Sequence, residues 1–346
     1  MTADMIRVIV VDDSNFMVNV IKNILESDKG IRVIGTAKSG TEAIEKIKEL
    51  KPDVVTLDVL MPGMNGLEAL REIMRDCPTR VVMISAADKE SADIVIRSLE
   101  EGAADFISKP QGPISPHMKR ISSKIIDKVK TASSVDIEKL KNRKRREKKA
   151  HAKRIYGKSD AGVAIGASLG GISSIEKVLI PIKDSKASFF VVQHMLPEFV
   201  SSFAERLDSI LNLKVKVAEN GEMVKGGIVY IAPGGYHMKV INKRVVLEKG
   251  ERVNGVMPSA DVLMESVADE YGGKAIGIVL SGMGHDGSAG LKKIHDKRGL
   301  TIAESPESST IFGMPNSAVE SGCTDLVLDA GAIAHGVIET TEKLEK

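Results

Sequence analysis

Only two cysteines, Cys77 and Cys323, occur in 346 residues, far apart and without histidines at ligand-like spacing. Their scarcity excludes a disulfide framework and a zinc site and fits a reducing cytoplasm. No uninterrupted apolar stretch approaches the ~20 residues of a membrane span, which argues against an integral membrane protein. The opening "MTADMIRVIVVDDS" closes its short apolar run with two aspartates, unlike a signal peptide. A large charge surplus is also missing, because 49 Lys/Arg face 47 Asp/Glu for a net of +2. The distribution is more telling: net −5 over residues 1–112, +11 over 113–157, and −4 thereafter. Basic character therefore belongs to a connector between two mildly acidic modules, and no folded face is suited to gripping nucleic acid. With 42% hydrophobic residues the chain is long enough to bury two cores.

Both modules alternate short β-rich runs with helical patterns. The first runs from "IRVIVV" through "DVVTLDV" and "RVVMISA" to "DFISKP", with "NFMVNVIKNILES", "NGLEALREIMRD" and "ADIVIRSLEEG" between. The second resumes with "GVAIGAS", "SFFVVQHM", "GGIVYIAP" and "KAIGIVLSG". Such alternation predicts parallel sheets covered by helices. Between them, "SSKIIDKVKTASSVDIEKLKNRKRREKKAHAKR" is dense enough in lysine and arginine to repel itself, which predicts a mobile or helical connector. It serves as a solvated spacer, or, on a sharper reading, binds acidic helices or anionic lipid through Arg143 to Arg146.

Ligands of open parallel sheets bind beyond the carboxyl ends of the strands. At such ends the first module places Asp12 and Asp13, Asp58, Ser85 and Lys109. Three carboxylates repel one another unless a hard cation such as Mg2+ lies between them, and that cation attracts a phosphoryl group. Asp58 is then the nucleophile that forms an acyl phosphate, with Ser85 and Lys109 binding the new oxygens. Singly, each residue also reads as a turn, cap or surface group; their joint placement carries the argument. The run "VVDDS", "TLDVLMPGMNGLEAL", "MISA", "DFISKP" resembles the receiver domain of response regulators. That resemblance implies phosphorylation of Asp58 by a histidine kinase, an aromatic switch residue at Phe106, and a backbone carbonyl at Leu60 as a metal ligand. A core phenylalanine is the plain alternative for Phe106.

In the second module "GASLG" matches G-x-S-x-G around Ser168, after a strand-like run and before a helical one. On the motif alone an unreactive glycine-rich turn serves as well, and a dinucleotide site is poorer because Ser168 stands where a glycine is needed. A nucleophilic serine needs a base and an orienting acid. His194, closing "FFVVQHM", and Asp286, in "GIVLSGMGHDGSAG", can reach the same sheet edge, while His237 and His285 remain rival bases.

From about Gly162 onward, "IGASLGG", "VVQHMLP", "VYIAPGGYHM", "PSADVLMESVA", "LSGMGHDG" and "IFGMPNSAVESG" resemble the catalytic domain of the chemotaxis protein-glutamate methylesterases, the CheB family. The resemblance implies an α/β fold in two parts, a flavodoxin-like receiver and a doubly wound methylesterase domain with a mostly parallel sheet. The expected division is receiver 1–112, basic linker 113–157 and catalytic domain 158–346. It further implies Ser168 as nucleophile, His194 as base and Asp286 as orienting acid. The backbone N–H groups of Leu169 and Met283 are the implied oxyanion donors. No cofactor is implied in the catalytic domain. The substrates implied are γ-methyl esters, and related glutamines, on cytoplasmic helices of methyl-accepting chemoreceptors. Phosphorylation of the receiver is expected to regulate the reaction by relieving occlusion. One departure stands out: the family usually has threonine after the nucleophile, where this chain has Leu169. A regulator with a binding output and a nucleotide-binding enzyme are the competing readings.

Overall fold

The computed structural model describes residues 5–86, 89–109, 116–141, 156–157 and 161–344. The chain divides into two compact units, Met1–Arg145 and Arg146–Lys346.

The first unit runs β1 (Ile6–Val11), α1 (Asn15–Glu26), β2 (Ile31–Ala37), α2 (Gly40–Leu50), β3 (Val54–Asp58), α3 (Gly66–Asp76), β4 (Arg80–Ser85), α4 (Lys89–Glu100), β5 (Asp105–Ser108), α5 (Pro116–Ser133) and α6 (Ile137–Lys141). Its five strands are parallel, in the order β2-β1-β3-β4-β5. The strands are apolar runs rather than alternating patterns because helices cover both faces, and Val8 to Val11, Val54, Val55, Leu57 and Val81 to Met83 are all fully buried. Helix starts are marked by Ser14, Ser39 and Asn65, whose side chains accept from Met17, Glu42 and Glu68 N–H groups.

Beyond residue 112 the chain continues into helix α5 within the first unit. Helix α5 lies within the segment read as connector, yet it packs on α1, β3, β4 and β5 and buries Ile125, Val129 and Ala132. Burying each aliphatic side chain contributes roughly 1.5–3 kcal/mol, whereas like-charge pairs along a helix cost only a few tenths each, at about 0.2–0.5 kcal/mol. The lysines are moreover paired, Lys128 with Asp105 and Lys130 with Asp28, each at 2.6 Å. Hydrophobic burial thus outweighs the repulsion expected of this stretch. The densest basic run, Arg143 to Arg146, lies outside the described residues.

The second unit runs β6 (Gly162–Ala167), α7 (Gly171–Leu179), β7 (Ser188–Gln193), α8 (Pro197–Ile210), β8 (Lys214–Val217), β9 (Ile228–Ile231), β10 (His237–Ile241), β11 (Arg244–Glu248) and α9 (Ala260–Tyr271). After a short turn of 3-10 helix it continues with β12 (Ala275–Val279), α10 (Ser288–Asp296), β13 (Leu300–Glu304), α11 (Gly313–Glu320), β14 (Leu326–Leu328) and α12 (Ala330–Leu344). Seven parallel strands take the order β14-β13-β12-β6-β7-β9-β8, and β10 and β11 form a separate antiparallel hairpin. Every residue of β6, β7 and β12 is buried, and Phe190 stacks on Tyr230 at 5.5 Å between centroids in the core beneath them. The chain leaves β6 for β7 on one side and returns to β12 on the other. The switch point of strand order therefore lies at the ends of β6 and β12, where α/β sheets bind their ligands. Among the described residues no helix is long and apolar enough to cross a membrane.

Candidate functional site

In the first unit the strand ends gather Asp12, Asp13 and Asp58, whose ligand oxygens all lie within 4.8 Å of one another. Asp12 and Asp58 are each 1% exposed. Lys109 Nζ lies 2.8 Å from Asp58 Oδ2 and 3.0 Å from Asp12 Oδ2, while the Leu60 N–H reaches Asp58 Oδ1 at 3.4 Å. Apart from this ion pair with Lys109, Asp12 Oδ2 has no partner among the described residues. Burial raises the Asp58 pKa to about 6; Lys109 opposes that rise and the Asp12 charge adds to it. Hard oxygen ligands with a buried, unbonded lone pair suit Mg2+.

Ser85 lies one residue past the β3–β4 register pair of Asp58 with Ile84, and its hydroxyl donates to the Ala86 carbonyl at 2.7 Å. Phe106, 6% exposed, is drawn into the core with Lys128 Nζ 5.0 Å from its ring centroid. Leu60 is 42% exposed at the rim of the cluster.

In the second unit three adjacent strands deliver the other cluster. Ala167 at the end of β6 is in register with Gln193 at the end of β7, so Ser168 and His194 follow their strands side by side. The His194 N–H donates to the Ala167 carbonyl at 2.9 Å, and Ser168 donates its N–H to the Ser281 carbonyl beyond β12 at 3.0 Å. The turn after Ser168 needs its glycine, because Gly170 has φ +77° and an added Cβ would come within 2.4 Å of Thr310 Cβ. Gly282 approaches as closely from the β12 side: a Cβ there would lie 2.8 Å from Ser168 Cβ, which brings the neighbouring Met283 to the same edge. Met283 is 51% exposed. Leu169 is buried, with its carbonyl accepting from Ser281 Oγ at 2.7 Å. Its side chain is buried and offers no hydroxyl beside Ser168.

His194 Nε2 meets Asp286 Oδ2 at 2.8 Å. Asp286 also accepts from Ala260 N–H and Ser259 Oγ at 2.6 Å each, from Asn254 Nδ2 at 2.9 Å and from Asp261 N–H at 3.3 Å. Burial alone would raise its pKa, but the hydrogen bonds and charge of His194, with those from Ser259 and Ala260, hold it well below the usual carboxylate range. An Nε2–H donated to Asp286 leaves Nδ1 as the basic ring nitrogen.

The rival histidines separate from this cluster. His237 lies in the β10–β11 hairpin with Nε2 2.9 Å from the Glu251 carbonyl oxygen, and His285 is exposed beside Asp286. Reading strand ends missed the groups that brace the cluster. Gln193 Nε2 donates to the Ser168 carbonyl at 2.7 Å, and buried Glu304 accepts the Ser281 N–H at 2.8 Å. Ser259, Asn254 and Asp261 surround Asp286; the signals for them were Asn-Gly in "RVNGVM" and an acid in the first turn of a helix in "PSADVLM".

Comparison with known proteins agrees with both halves. Residues 163–337 match the CheB methylesterase family and residues 8–117 the response regulator receiver domain. A protein-glutamate methylesterase/protein-glutamine glutaminase of Pyrococcus horikoshii is 44% identical over 97% of this chain and 94% of its own. A protein of the same name from Thermotoga maritima is 44% identical over 98% of this chain and 99% of its own. The crystal structure of the Thermotoga maritima CheB methylesterase catalytic domain covers 52% of this chain and 98% of its own at 42% identity and a TM-score of 0.50. With a receiver unit at its N-terminus and the serine, histidine and aspartate gathered on the second sheet, this chain belongs to the CheB methylesterase family.

Proposed function

We propose that this chain hydrolyses glutamate γ-methyl esters on the cytoplasmic helices of methyl-accepting chemoreceptors, under the control of phosphorylation at Asp58 by a histidine kinase. The observation that carries the catalytic half is the 2.8 Å contact of His194 with a buried, multiply bonded Asp286, beside the Ser168 turn. The names of the relatives supply the substrate class.

Ser168 Oγ attacks the side-chain carbonyl carbon while His194 Nδ1 takes its proton, and Asp286 stabilises the imidazolium that results. The oxyanion is met by the N–H groups of Leu169 and Met283; the Ser168 N–H is already engaged with the Ser281 carbonyl. Collapse expels methoxide, which leaves as methanol with the proton from His194. Water, deprotonated by His194, then attacks the acyl-serine; the acyl carbon–Oγ bond breaks, His194 returns the proton to Ser168 Oγ, and the glutamate is freed. Glutamine follows the same path to ammonia, a poorer leaving group that must be protonated as it departs, so deamidation is the slower activity.

In the receiver, the Asp58 carboxylate attacks the phosphorus of the kinase's phosphohistidine, forming the acyl phosphate O–P bond as the P–N bond breaks and the protonated imidazole leaves. Asp12, Asp13, Asp58 and the Leu60 carbonyl would hold Mg2+, which would supply charge to neutralise the incoming phosphoryl group. Lys109 neutralises the cluster from the other side, and the Ser85 hydroxyl turns from the Ala86 carbonyl to a phosphoryl oxygen. Phe106 follows that turn of Ser85 as the aromatic switch.

The test is methanol release from methylated receptor by a Ser168→Ala protein. Release falls to background while phosphoryl incorporation at Asp58 persists; retained hydrolysis sinks the nucleophile assignment.

A further inference from the structure

Asp286 lies just before α10, yet its carboxylate caps a different helix. It accepts the N–H groups of Ala260 and Asp261, the first two residues of α9. The α9 N-cap, Ser259, makes no side-chain cap of its own and instead donates its hydroxyl to Asp286. The exchange is mutual. Asp261 Oδ1 accepts the N–H groups of Gly287, at 2.9 Å, and Gly290, at 2.7 Å, at the start of α10. Each helix start is thereby capped by the carboxylate of the other, and the Asp261 bond to Gly287 anchors the peptide directly after Asp286.

Two buried carboxylates this close repel each other, and the arrangement needs a donor between them. Asn254 is that donor: its Nδ2 lies 2.9 Å from Asp286 Oδ1 and 2.7 Å from Asp261 Oδ2. An amide nitrogen carries two hydrogens, one for each carboxylate, and the flipped amide would aim its oxygen at two anions. Its backbone suits the task. Val253 to Val256 close a tight turn through a Val256 N–H bond to the Val253 carbonyl, with φ +53° at Asn254 and +75° at Gly255. Asparagine followed by glycine is the pair such a turn favours. Asn254 itself is exposed, so it closes the carboxylate pair on its solvent side.

We infer that Asn254 and Asp261 are positioning residues for the esterase reaction: Asp261 anchors the peptide that follows Asp286, and Asn254 offsets the repulsion so that the Asp286 carboxylate stays charged where it orients His194. The inference rests on the role proposed for Asp286. Neither residue touches substrate; both act through Asp286. Burial and the Asp286 charge raise the Asp261 pKa, the direction expected if Asp261 shares the strain of the pair.

Three full-chain variants test it by kcat and KM for methanol release across pH, with thermal unfolding alongside. Asn254→Gly keeps the positive φ but removes the amide, Asn254→Asp keeps the turn preference but adds a third carboxylate, and Asp286→Asn is the reference. Groups facing Asp286 that carry charge are His194, from the end of β7, and Asp261, on α9. Asn254→Gly lowers kcat about tenfold with KM little changed, the scale of losing one hydrogen bond to a charged group. Asn254→Asp lowers it further and moves the acid limb of the profile to higher pH, because added negative charge retains protons on the Asp286–His194 pair. Wild-type kcat and profile in both Asn254 variants, with Asp286→Asn inactive, overturn the positioning role and leave the proposed reaction standing. A loss of kcat explained wholly by unfolding at the assay temperature, with an unmoved profile, overturns it as well. An active Asp286→Asn protein instead removes the orienting role on which the inference rests.

Discussion

The two units solve the same electrostatic problem in opposite ways. Each carries a carboxylate beyond the carboxyl end of buried parallel strands, Asp58 at 1% exposure and Asp286 at 3%. Asp58 has Lys109, one long contact from the Leu60 N–H and an acidic neighbour, and its pKa rises to about 6. Asp286 is enclosed by donors from His194, Asn254, Ser259, Ala260 and Asp261, and its pKa is driven down. Lone pairs left unspent suit the role proposed for Asp58, binding a metal and attacking phosphorus. A fully bonded anion suits one that must stay charged and still while a neighbour moves a proton.

Breaking the enclosed side has the largest expected effect. Asp286→Asn lowers kcat for methanol release about 10,000-fold, the scale of removing the orienting acid of a Ser-His-Asp site. It also destabilises the second unit at neutral pH by about 2–3 kcal/mol, as a hydrogen-bonded charge is lost. The sign follows from the depressed pKa: the stabilising contribution is present above the unfolded value of 3.8 and lost as pH falls below it. Unfolding curves of wild type and variant accordingly stay apart above about pH 5 and converge below about 4.

On the open side, Asp58→Asn abolishes acyl phosphate formation from a small-molecule phosphoryl donor, read by radiolabel. It also removes most of the Mg2+-dependent rise in the unfolding temperature of the first unit, since one of the three proposed carboxylate ligands is gone. Smaller again is Gly170→Ala, which forces a side chain onto φ +77° against Thr310. It costs about 1–3 kcal/mol of stability and moves the Ser168 turn, visible as a lower unfolding temperature and a roughly tenfold lower kcat. Leu169→Thr is the mildest, because the backbone N–H is retained; kcat changes within about threefold.

The comparison also separates what was readable in the chain from what was not. Asp12, Asp58, Ser85 and Lys109 stood out because each ends a β-rich run, and in a parallel sheet such ends share one edge. His194 followed from the same logic. Asp286 was only one of several polar residues in a glycine-rich loop, and the family resemblance was needed to choose it. Its bracing escaped notice because those caps act between helices, with Asn254 and Asp261 lying 32 and 25 residues away in sequence. The packing of helix α5 was hidden for a related reason: the lysines that suggested a repelling connector, mobile or helical, find Asp105 and Asp28, 23 and 102 residues distant. Local charge density records the cost of such a segment and not its partners.

The most direct test of the account is covalent trapping of the nucleophile in the full chain with a fluorophosphonate, mapped by peptide mass spectrometry. The account predicts one stoichiometric adduct on Ser168, formed far more slowly in Asp286→Asn and unaffected in site by Asp58→Asn. An adduct on another serine, or equal labelling rates in wild type and Asp286→Asn, would contradict it.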